Sequence, residues 1–200
     1  MSVSERQLTD QGKERKQQIL DAAAALFSER GYSTTRIADI CEAAGVAKGL
    51  FYWYFQNKES LYAELVRSMR QALRRAQGAA MAEGTDPIDR IRRATIVSVH
   101  FMTEHRAYFA LLEVERDDEI IVEVLRESSS LYANDAANLI HEAQAAGAIP
   151  EDLDPDLLAL GVLGAVSHFT HFHRTGRLDG SVEDLAVFVA GWVTRAIGAH

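Results

Sequence analysis

The 200-residue chain is predicted to be all-α. Its first 86 residues contain no proline, and the three prolines present, Pro87, Pro150 and Pro155, stand at expected element boundaries. Ala, Leu, Glu and Arg are abundant, and all four are strong helix formers. At 48% hydrophobic residues, a chain of this length can bury a sizeable core. We predict about nine helices.

The first helix is predicted over residues 13–30. Its apolar residues keep helical spacing, Arg30 lies in the last turn, and Gly31 suits the left-handed position that ends many helices. Residues 1–11 are polar and without period, which predicts a disordered arm. The cations of this region either approach phosphates or belong to a solvated tail: Arg6, Lys13, Arg15 and Lys16.

Two short helices joined by a glycine turn are predicted between residues 34 and 58. Either Thr34 or Thr35 is expected to cap the first helix. Its apolar residues recur at i, i+3, i+4 and i+7: Ile37, Ile40, Cys41 and Ala44. Gly45 supplies the turn. The second helix carries more cationic and aromatic residues than so short a segment can bury: Lys48, Tyr52, Trp53 and Tyr54. Such a pair forms a helix-turn-helix, whose second helix enters the DNA major groove.

Capping residues mark the helices that follow. Asn57 is expected to cap a connecting helix over residues 59–82. Asp86 with Pro87, and Asp154 with Pro155, each combine an N-cap with a proline in the first turn. Ser181 with Asp184 predicts a capping box for the last helix. The remaining predicted helices are 87–104, a short one at 105–115, 118–146, and one that starts at 155.

Charge is divided unevenly along the chain. The net charge is −8, yet residues 1–60 carry eight cationic and eight acidic residues, so the whole excess lies in the remainder. Every lysine lies within the first 58 residues, at Lys13, Lys16, Lys48 and Lys58. This division is typical of a protein that meets phosphates at one end only.

The sequence gives little support for a redox-active cysteine, a membrane segment or a metal site. The single cysteine, Cys41, lies on an apolar helical face and is expected to be buried. No long apolar run is present, so we predict a cytoplasmic protein without membrane contact. His168 and His171 lie three apart on one helical face with His173 nearby, but a zinc site usually needs three or four ligands and distant residues would have to complete it, so no metal and no cofactor is predicted.

No phosphate loop or nucleophile motif is present, so we predict no enzyme. A scattered helical-bundle active site using Glu113, Glu115 and His168 is the remote alternative.

Residues 46–59, Val-Ala-Lys-Gly-Leu-Phe-Tyr-Trp-Tyr-Phe-Gln-Asn-Lys-Glu, resemble the signature of TetR-family transcriptional regulators. The resemblance extends back through Gly31, Tyr32 and Thr35 and covers about the first third of the chain. Ala47 and Leu50 depart from the Ser and Thr that are common in the family. Both departures remove a hydroxyl that could touch DNA, so the operator preference does not carry over.

The resemblance implies an N-terminal helix-turn-helix DNA-binding domain and a C-terminal helical domain for ligand binding and dimerisation. We place these at residues 1–58 and 59–200. The position-wise match implies a DNA contact for nine residues: Thr35, Arg36, Lys48, Gly49, Leu50, Tyr52, Trp53, Tyr54 and Lys58. Among these, Trp53 suits the core as well as DNA, whereas Phe55 beside it is expected in the core.

The family also implies a homodimer built by the last two helices. The interface residues expected here are Leu157, Gly161, Gly164, Ala165, Leu185, Val189, Trp192 and Val193. A small-molecule pocket is expected among the helices of the body, with these candidates: Phe101, Tyr108, Phe109, Arg116, Tyr132, His168, Phe169 and Phe172. Arg92, Arg93, Arg106 and Arg116 suit an anionic head group, whereas Glu113 and Glu115 suit a cationic drug.

The function that follows is a repressor released from a palindromic DNA operator by a small hydrophobic effector. The alternatives are an activator and a regulator controlled by a protein partner.

Overall fold

The computed structural model describes residues 9–106, 108–109 and 119–199. Within these residues the chain forms eight helices and no strand, so the all-α prediction is confirmed. The helices are α1 (Asp10–Arg30), α2 (Ile37–Ala43), α3 (Lys48–Tyr54), α4 (Lys58–Ala82), α5 (Pro87–Glu104), α6 (Glu119–Ala145), α7 (Pro155–Arg174) and α8 (Val182–Ala196). The short helix predicted at 105–115 and the acidic residues Glu113 and Glu115 lie largely or wholly outside the described residues.

The chain divides into two compact units. The first comprises Met1–Val66 with Ala107–Glu123, and the second comprises Arg67–Arg106 with Val124–His200. The division falls within α4, after its first nine residues. The domain boundary predicted between residues 58 and 59 stays a prediction.

Apolar side chains of α1 to α4 form the core of the first unit. The largest buried members are Ile19, Phe27, Ile40, Phe51, Leu61 and Tyr62. Two glycines lie in the connections of this unit. Gly31, which follows α1, has a φ of 83°, and Gly45, between α2 and α3, has a φ of 64°. Residues with a Cβ rarely adopt such angles, which explains glycine at both positions.

The second unit is centred on α5. This helix packs against α8 and α7 and buries Ile91, Val99 and Met102. On α8, Val189 and Val193 are both fully buried. Polar residues within this core are satisfied locally: the hydroxyl groups of Thr95 and other threonines donate to the carbonyl one turn earlier.

The four predicted N-caps are confirmed. Asn57 accepts a hydrogen bond from the backbone N–H of Ser60 at 2.8 Å, and Asp86 accepts one from Asp89 at 2.9 Å. Asp154 accepts two, at 2.9 and 3.2 Å. At Ser181, the hydroxyl oxygen accepts from the backbone of Asp184 at 3.1 Å. These caps occupy amide groups that the first turn of a helix leaves unpaired.

Helix α4 begins one residue earlier than predicted and α6 one residue later, and the starts of α1 and α2 differ in more than a single residue or in their cap. Helix α1 begins at Asp10 rather than residue 13, because Thr9 accepts a hydrogen bond from the N–H of Gly12 at 3.2 Å and caps it. Helix α2 is preceded by Arg36, and neither Thr34 nor Thr35 caps it. The threonine hydroxyls instead donate to carbonyls at the end of α1. Asp39 completes the start of α2 by accepting from the N–H of Arg36 at 3.2 Å.

Candidate nucleic-acid interface

Helix α3 has one face in the core and one face in solvent. Phe51 is fully buried and Phe55, which follows the helix, is 4% exposed, so Phe55 lies in the core as predicted. In contrast, the side chains of Tyr52 and Trp53 lie in solvent, with 55% and 51% of their surface exposed. Successive helical residues project about 100° apart, so burial of Phe51 turns the next two side chains outward. Large aromatic side chains left in solvent typically mark a binding surface.

The N-terminal half of α3 extends this exposed surface. Lys48 and Gly49 are exposed, and Leu50 is half-buried. A Cβ at Gly49 would meet no atom within 4 Å, so packing inside the chain does not require glycine there. Lys48, Gly49, Leu50, Tyr52 and Trp53 therefore form one surface, which we call the α3 face.

An open groove runs beside the α3 face. The start of α1 contributes Thr9, Gln11, Gly12 and Arg15, and α3 contributes Gly49, Leu50, Trp53 and Tyr54. The hydroxyl group of Tyr54 donates to the carbonyl of Gly12 at 2.8 Å and joins the two helices. Of the α1 residues in this groove, Arg15 was considered in the sequence analysis as a cation that could approach phosphates, whereas Thr9, Gln11 and Gly12 were not predicted there. The signal that could have found them is the cap formed by Thr9, since it extends α1 to this point.

Thr35 and Arg36 differ in accessibility. Thr35 is only 1% exposed, and its hydroxyl donates to the carbonyl of Gly31 at 2.7 Å. Its side chain is therefore part of the core. Arg36 is exposed, and its guanidinium group donates to Asp39 at 3.1 and 3.2 Å. These hydrogen bonds lower the pKa of the Asp39 carboxyl and raise that of Arg36.

Lys58, the first residue of α4, points into the unit. Its ammonium group donates to the carbonyls of Tyr32 at 2.7 Å, Thr35 at 3.1 Å and Ser33 at 3.4 Å. It also lies 4.2 Å from the centre of the Tyr32 ring. Four of the nine residues predicted to contact DNA therefore make side-chain hydrogen bonds within the chain: Thr35, Arg36, Tyr54 and Lys58.

Cys41 is a buried residue of α2. Its exposed fraction is 4%, which confirms the predicted burial. Burial raises the pKa of the thiol, because the thiolate would lose its hydration there.

The candidate pocket residues are divided between the two units, and one of them lies outside the described residues. Tyr108 and Phe109 belong to the first unit, and Arg116 lies outside the described residues. Phe101 packs on His105, and His168 is exposed beside Phe172. Phe169 packs on Phe188 and Trp192, with ring centres 5.6 and 6.1 Å away.

Tyr132 is a candidate pocket residue whose pKa is raised. Burial raises its pKa to about 12, and the positive charge of Arg70 partly opposes that effect. A neutral phenol within the second unit suits a partly apolar environment.

An exposed apolar surface covers one side of α7 and α8. We call it the α7/α8 face, and its members are Leu157, Leu160, Val187, Phe188 and Trp192. Val187 is 67% exposed and Phe188 53% exposed.

Four residues named here were predicted at a dimer interface: Leu157, Trp192, Val189 and Val193. Leu157 and Trp192 are exposed, whereas Val189 and Val193 are fully buried on α8, the helix that packs against α5. The prediction for those two residues is corrected: one stripe of α8 faces the core, and the neighbouring stripe is in solvent. Of the other predicted interface residues, Gly161 and Gly164 are exposed, whereas Ala165 and Leu185 are half-buried.

Metal sites and membrane spans can be assessed over the described part of the chain. Among those residues, no group of three or more His, Cys, Asp and Glu side chains is arranged to hold a metal ion. None of the helices described there combines the length and the apolar character needed to cross a membrane.

Comparison with known families agrees with the signature in α3. The family description "Bacterial regulatory proteins, tetR family" matches residues 19–65, which include the α3 face. A second description, "Tetracyclin repressor-like, C-terminal domain", matches residues 84–197 and so covers more than half of the chain. The chain belongs to the TetR family. It is therefore a DNA-binding transcriptional regulator.

Individual relatives of this TetR-family regulator align over most of its length. The "Probable acrEF/envCD operon repressor" of Escherichia coli (strain K12) is 29% identical over 76% of this chain and 72% of its own. The regulator TtgR of Pseudomonas putida is 28% identical over 94% of this chain and 92% of its own. The crystal structure of FadR from Bacillus subtilis in complex with stearoyl-CoA shares the fold, with a TM-score of 0.79. That likeness covers 88% of this chain and 96% of FadR at 21% identity.

Proposed function

We propose that this TetR-family regulator is a homodimeric repressor that binds a palindromic DNA operator and is released by a small hydrophobic effector. The observation that carries the proposal is the α3 face, where Tyr52 and Trp53 stand in solvent next to Lys48. A short helix with an exposed cationic and aromatic face suits the major groove, which admits a helix.

The α3 face contains few hydrogen-bond donors. Lys48 suits a guanine edge or a phosphate, and the hydroxyl of Tyr52 suits a phosphate. Leu50 and Trp53 can offer apolar surface to a thymine methyl group. Arg36, exposed at the start of α2, adds a cation for the backbone. Because only the cations among these groups would neutralise phosphates, affinity should fall with rising salt at a modest slope, about −0.9 for each phosphate neutralised.

The α7/α8 face supports the homodimer. If the same face of a second copy packed against it, the exposed apolar surface of Leu157, Leu160 and Phe188 would be buried. A two-fold axis is the usual symmetry of such self-complementary contacts, and it would present two copies of α3 to one duplex. A palindromic operator would match that symmetry.

For the effector we propose a long-chain acyl-CoA as the first class to test. A regulator named "Fatty acid metabolism regulator protein" in Bacillus subtilis is 29% identical over 74% of this chain, and FadR was solved with stearoyl-CoA. The second unit would bind the effector, and the signal would pass along α4, whose residues belong to both units.

The test is selection from a randomised DNA duplex pool by the purified protein at two salt concentrations, followed by sequencing. We expect enrichment of a palindrome and weaker binding at the higher salt. Stearoyl-CoA should then release the selected duplex, whereas free CoA, the matched control, should not. A folded protein that enriches no sequence at either salt would contradict the proposed operator binding, and retention of DNA with stearoyl-CoA would contradict the effector class.

A further inference from the structure

Two helices of the second unit bring four polar side chains together: Arg70 and Arg74 on α4, and Tyr132 and Asp135 on α6. Arg74 forms an ion pair with Asp135 at 3.0 Å, so side chains of the two helices are in contact there. Arg70 lies one turn before Arg74, and Tyr132 lies about one turn before Asp135. Residues spaced by three or four positions share one face of a helix. The ion pair, Arg70 and Tyr132 therefore lie on the facing surfaces of α4 and α6.

Arg70 is a half-buried cation without a counterion. Among the residues that the structure describes, its guanidinium group has no hydrogen-bond or ion-pair partner. Arg74, in contrast, is neutralised by Asp135. Two cations and one carboxylate leave a single positive charge in excess at this place. Because a cation is costly to bury without compensation, the arrangement suits one anionic group from a ligand.

The hydroxyl group of Tyr132 supplies a second donor beside Arg70. Burial raises the pKa of this phenol to about 12, the positive charge of Arg70 acts against that rise, and the charge of Asp135 adds to it. The phenol therefore keeps its proton at neutral pH and can donate a hydrogen bond to an oxyanion. The effects of both charges on the phenol agree with their placement on the facing surfaces of the two helices.

Two arginines that the sequence analysis considered for an anionic head group are engaged elsewhere. Arg93 donates to Asp89 at 2.8 Å and to Glu83 at 3.2 Å, so two carboxylates surround its charge. Arg106 donates to the backbone carbonyl of Arg174 at 2.9 Å, at the end of α7. Arg70 was not singled out from the sequence, yet its donors are the ones available.

We propose that Arg70 and Tyr132 together bind the anionic group, a carboxylate or a phosphate, of the effector. A guanidinium group donates two parallel hydrogen bonds to either oxyanion, and the phenol donates a third. The proposal rests on the small hydrophobic effector proposed above. It adds that this effector is amphipathic, and that its anionic group lies between α4 and α6.

The first test measures binding by calorimetry with laurate, lauroyl-CoA and dodecanol, which share one chain length and differ in head group. The full-length wild type is compared with Arg70→Met and with the control Arg75→Met, which removes an exposed cation of α4. We expect Arg70→Met to bind the anionic probe at least about tenfold more weakly, because charged hydrogen bonds are lost. Dodecanol binding should stay unchanged, and Arg75→Met should bind all three probes as the wild type does.

The pattern of loss identifies the anionic group. A loss confined to laurate assigns the carboxylate of a fatty acid, and a loss confined to lauroyl-CoA assigns the phosphates of CoA. Unchanged affinity of Arg70→Met for both anionic probes would overturn the proposal. An equal loss of dodecanol binding would also overturn it, since the arginine would then contribute to packing and not to charge recognition.

Tyr132→Phe tests the second donor. This variant keeps the ring and removes only the hydroxyl group, so we expect the anionic probe to bind about fivefold more weakly and dodecanol to bind unchanged. Wild-type affinity for the anionic probe in Tyr132→Phe would contradict the role of the phenol.

A titration without an acyl chain separates this site from the effector class. The Nε–H resonance of Arg70 in the ¹⁵N-labelled protein, assigned by its loss in Arg70→Met, is followed during addition of inorganic phosphate, with sodium chloride at equal ionic strength as the control. We expect a saturable shift for Arg70 and none for Arg75. If no acyl probe binds the wild type, the proposed effector class fails and this titration alone decides. An unshifted Arg70 resonance would then overturn the proposed site.

Discussion

Phe51 and Tyr52 are neighbours in the chain, yet one is fully buried and the other is 55% exposed. Because both side chains are aromatic, their residue type alone does not explain this difference in burial. What separates them is the seven-residue length of α3, which allows a single inward stripe and leaves the remaining aromatic residues in solvent. At the scale of single residues, this exposure is the strongest indication of function.

Local spacing was enough to predict the burial of Cys41 and Phe55, because each lies on an apolar helical stripe or next to one. The roles of Thr35, Tyr54 and Lys58 could not be predicted in that way. Their hydroxyl and ammonium groups bond to backbone carbonyls elsewhere, 42 residues away for Tyr54 and 23 to 26 for Lys58. The spacing of residues in the sequence does not show which backbone carbonyl a hydroxyl or ammonium group will meet in the fold.

The hydrogen bond of Tyr54 leads to a prediction about stability. Tyr54→Phe removes the hydrogen bond to Gly12 and leaves that carbonyl without this donor. We expect the free energy of unfolding in urea to fall by about 1 kcal/mol. The matched control is Tyr52→Phe, which removes a hydroxyl from an exposed ring and should leave that free energy unchanged. Equal stability of the two variants would show that the hydrogen bond contributes nothing.

At the scale of elements, the helix boundaries were the most predictable part of the fold. Asp86, Asp154 and Ser181 lie directly before their helices and accept the expected backbone hydrogen bonds. The start of α2 was missed because an arginine precedes it and the cap is completed from the third helical residue, Asp39. Propensity rules favour threonine there, but both threonines bond back to α1.

The caps allow a second prediction. Asp154 accepts hydrogen bonds from two backbone amides of α7, so Asp154→Ala should reduce the free energy of unfolding by about 1 kcal/mol. For a chain of this size, that corresponds to a fall of about 2–4 °C in Tm. The control is Asp152→Ala in the preceding exposed loop, which should leave Tm unchanged. A fall of the same size in both variants would contradict the capping role.

At the scale of the whole molecule, the even balance of charge in the first 60 residues and the acidic remainder agree with a regulator that meets DNA at one end. The last two helices were expected to build a dimer interface, but the stripe of α8 that faces solvent was not distinguished from the stripe that is buried. Apolar residues occupy most of its circumference, so periodicity alone could not distinguish the stripe against α5 from the exposed one.

The α7/α8 face predicts the oligomeric state. Val187→Asp with Phe188→Asp places two charges in the proposed interface, where they would lose hydration without a partner. We expect the mass measured by light scattering to fall from that of a dimer to that of the 22.1 kDa chain. Leu131→Asp, which changes an exposed apolar residue of α6 outside this face, serves as the control and should remain dimeric. A dimer that survives the double substitution would place the interface elsewhere.

The most direct test of the central claim, that the α3 face reads DNA, is the affinity of Tyr52→Ala with Trp53→Ala for the selected duplex. Because both side chains are exposed, the variant should keep the wild-type Tm and oligomeric state. We expect its affinity to fall about a hundredfold, or about 1.4 kcal/mol for each side chain. Wild-type affinity in a folded double variant would show that another surface binds DNA and would contradict the function proposed for α3.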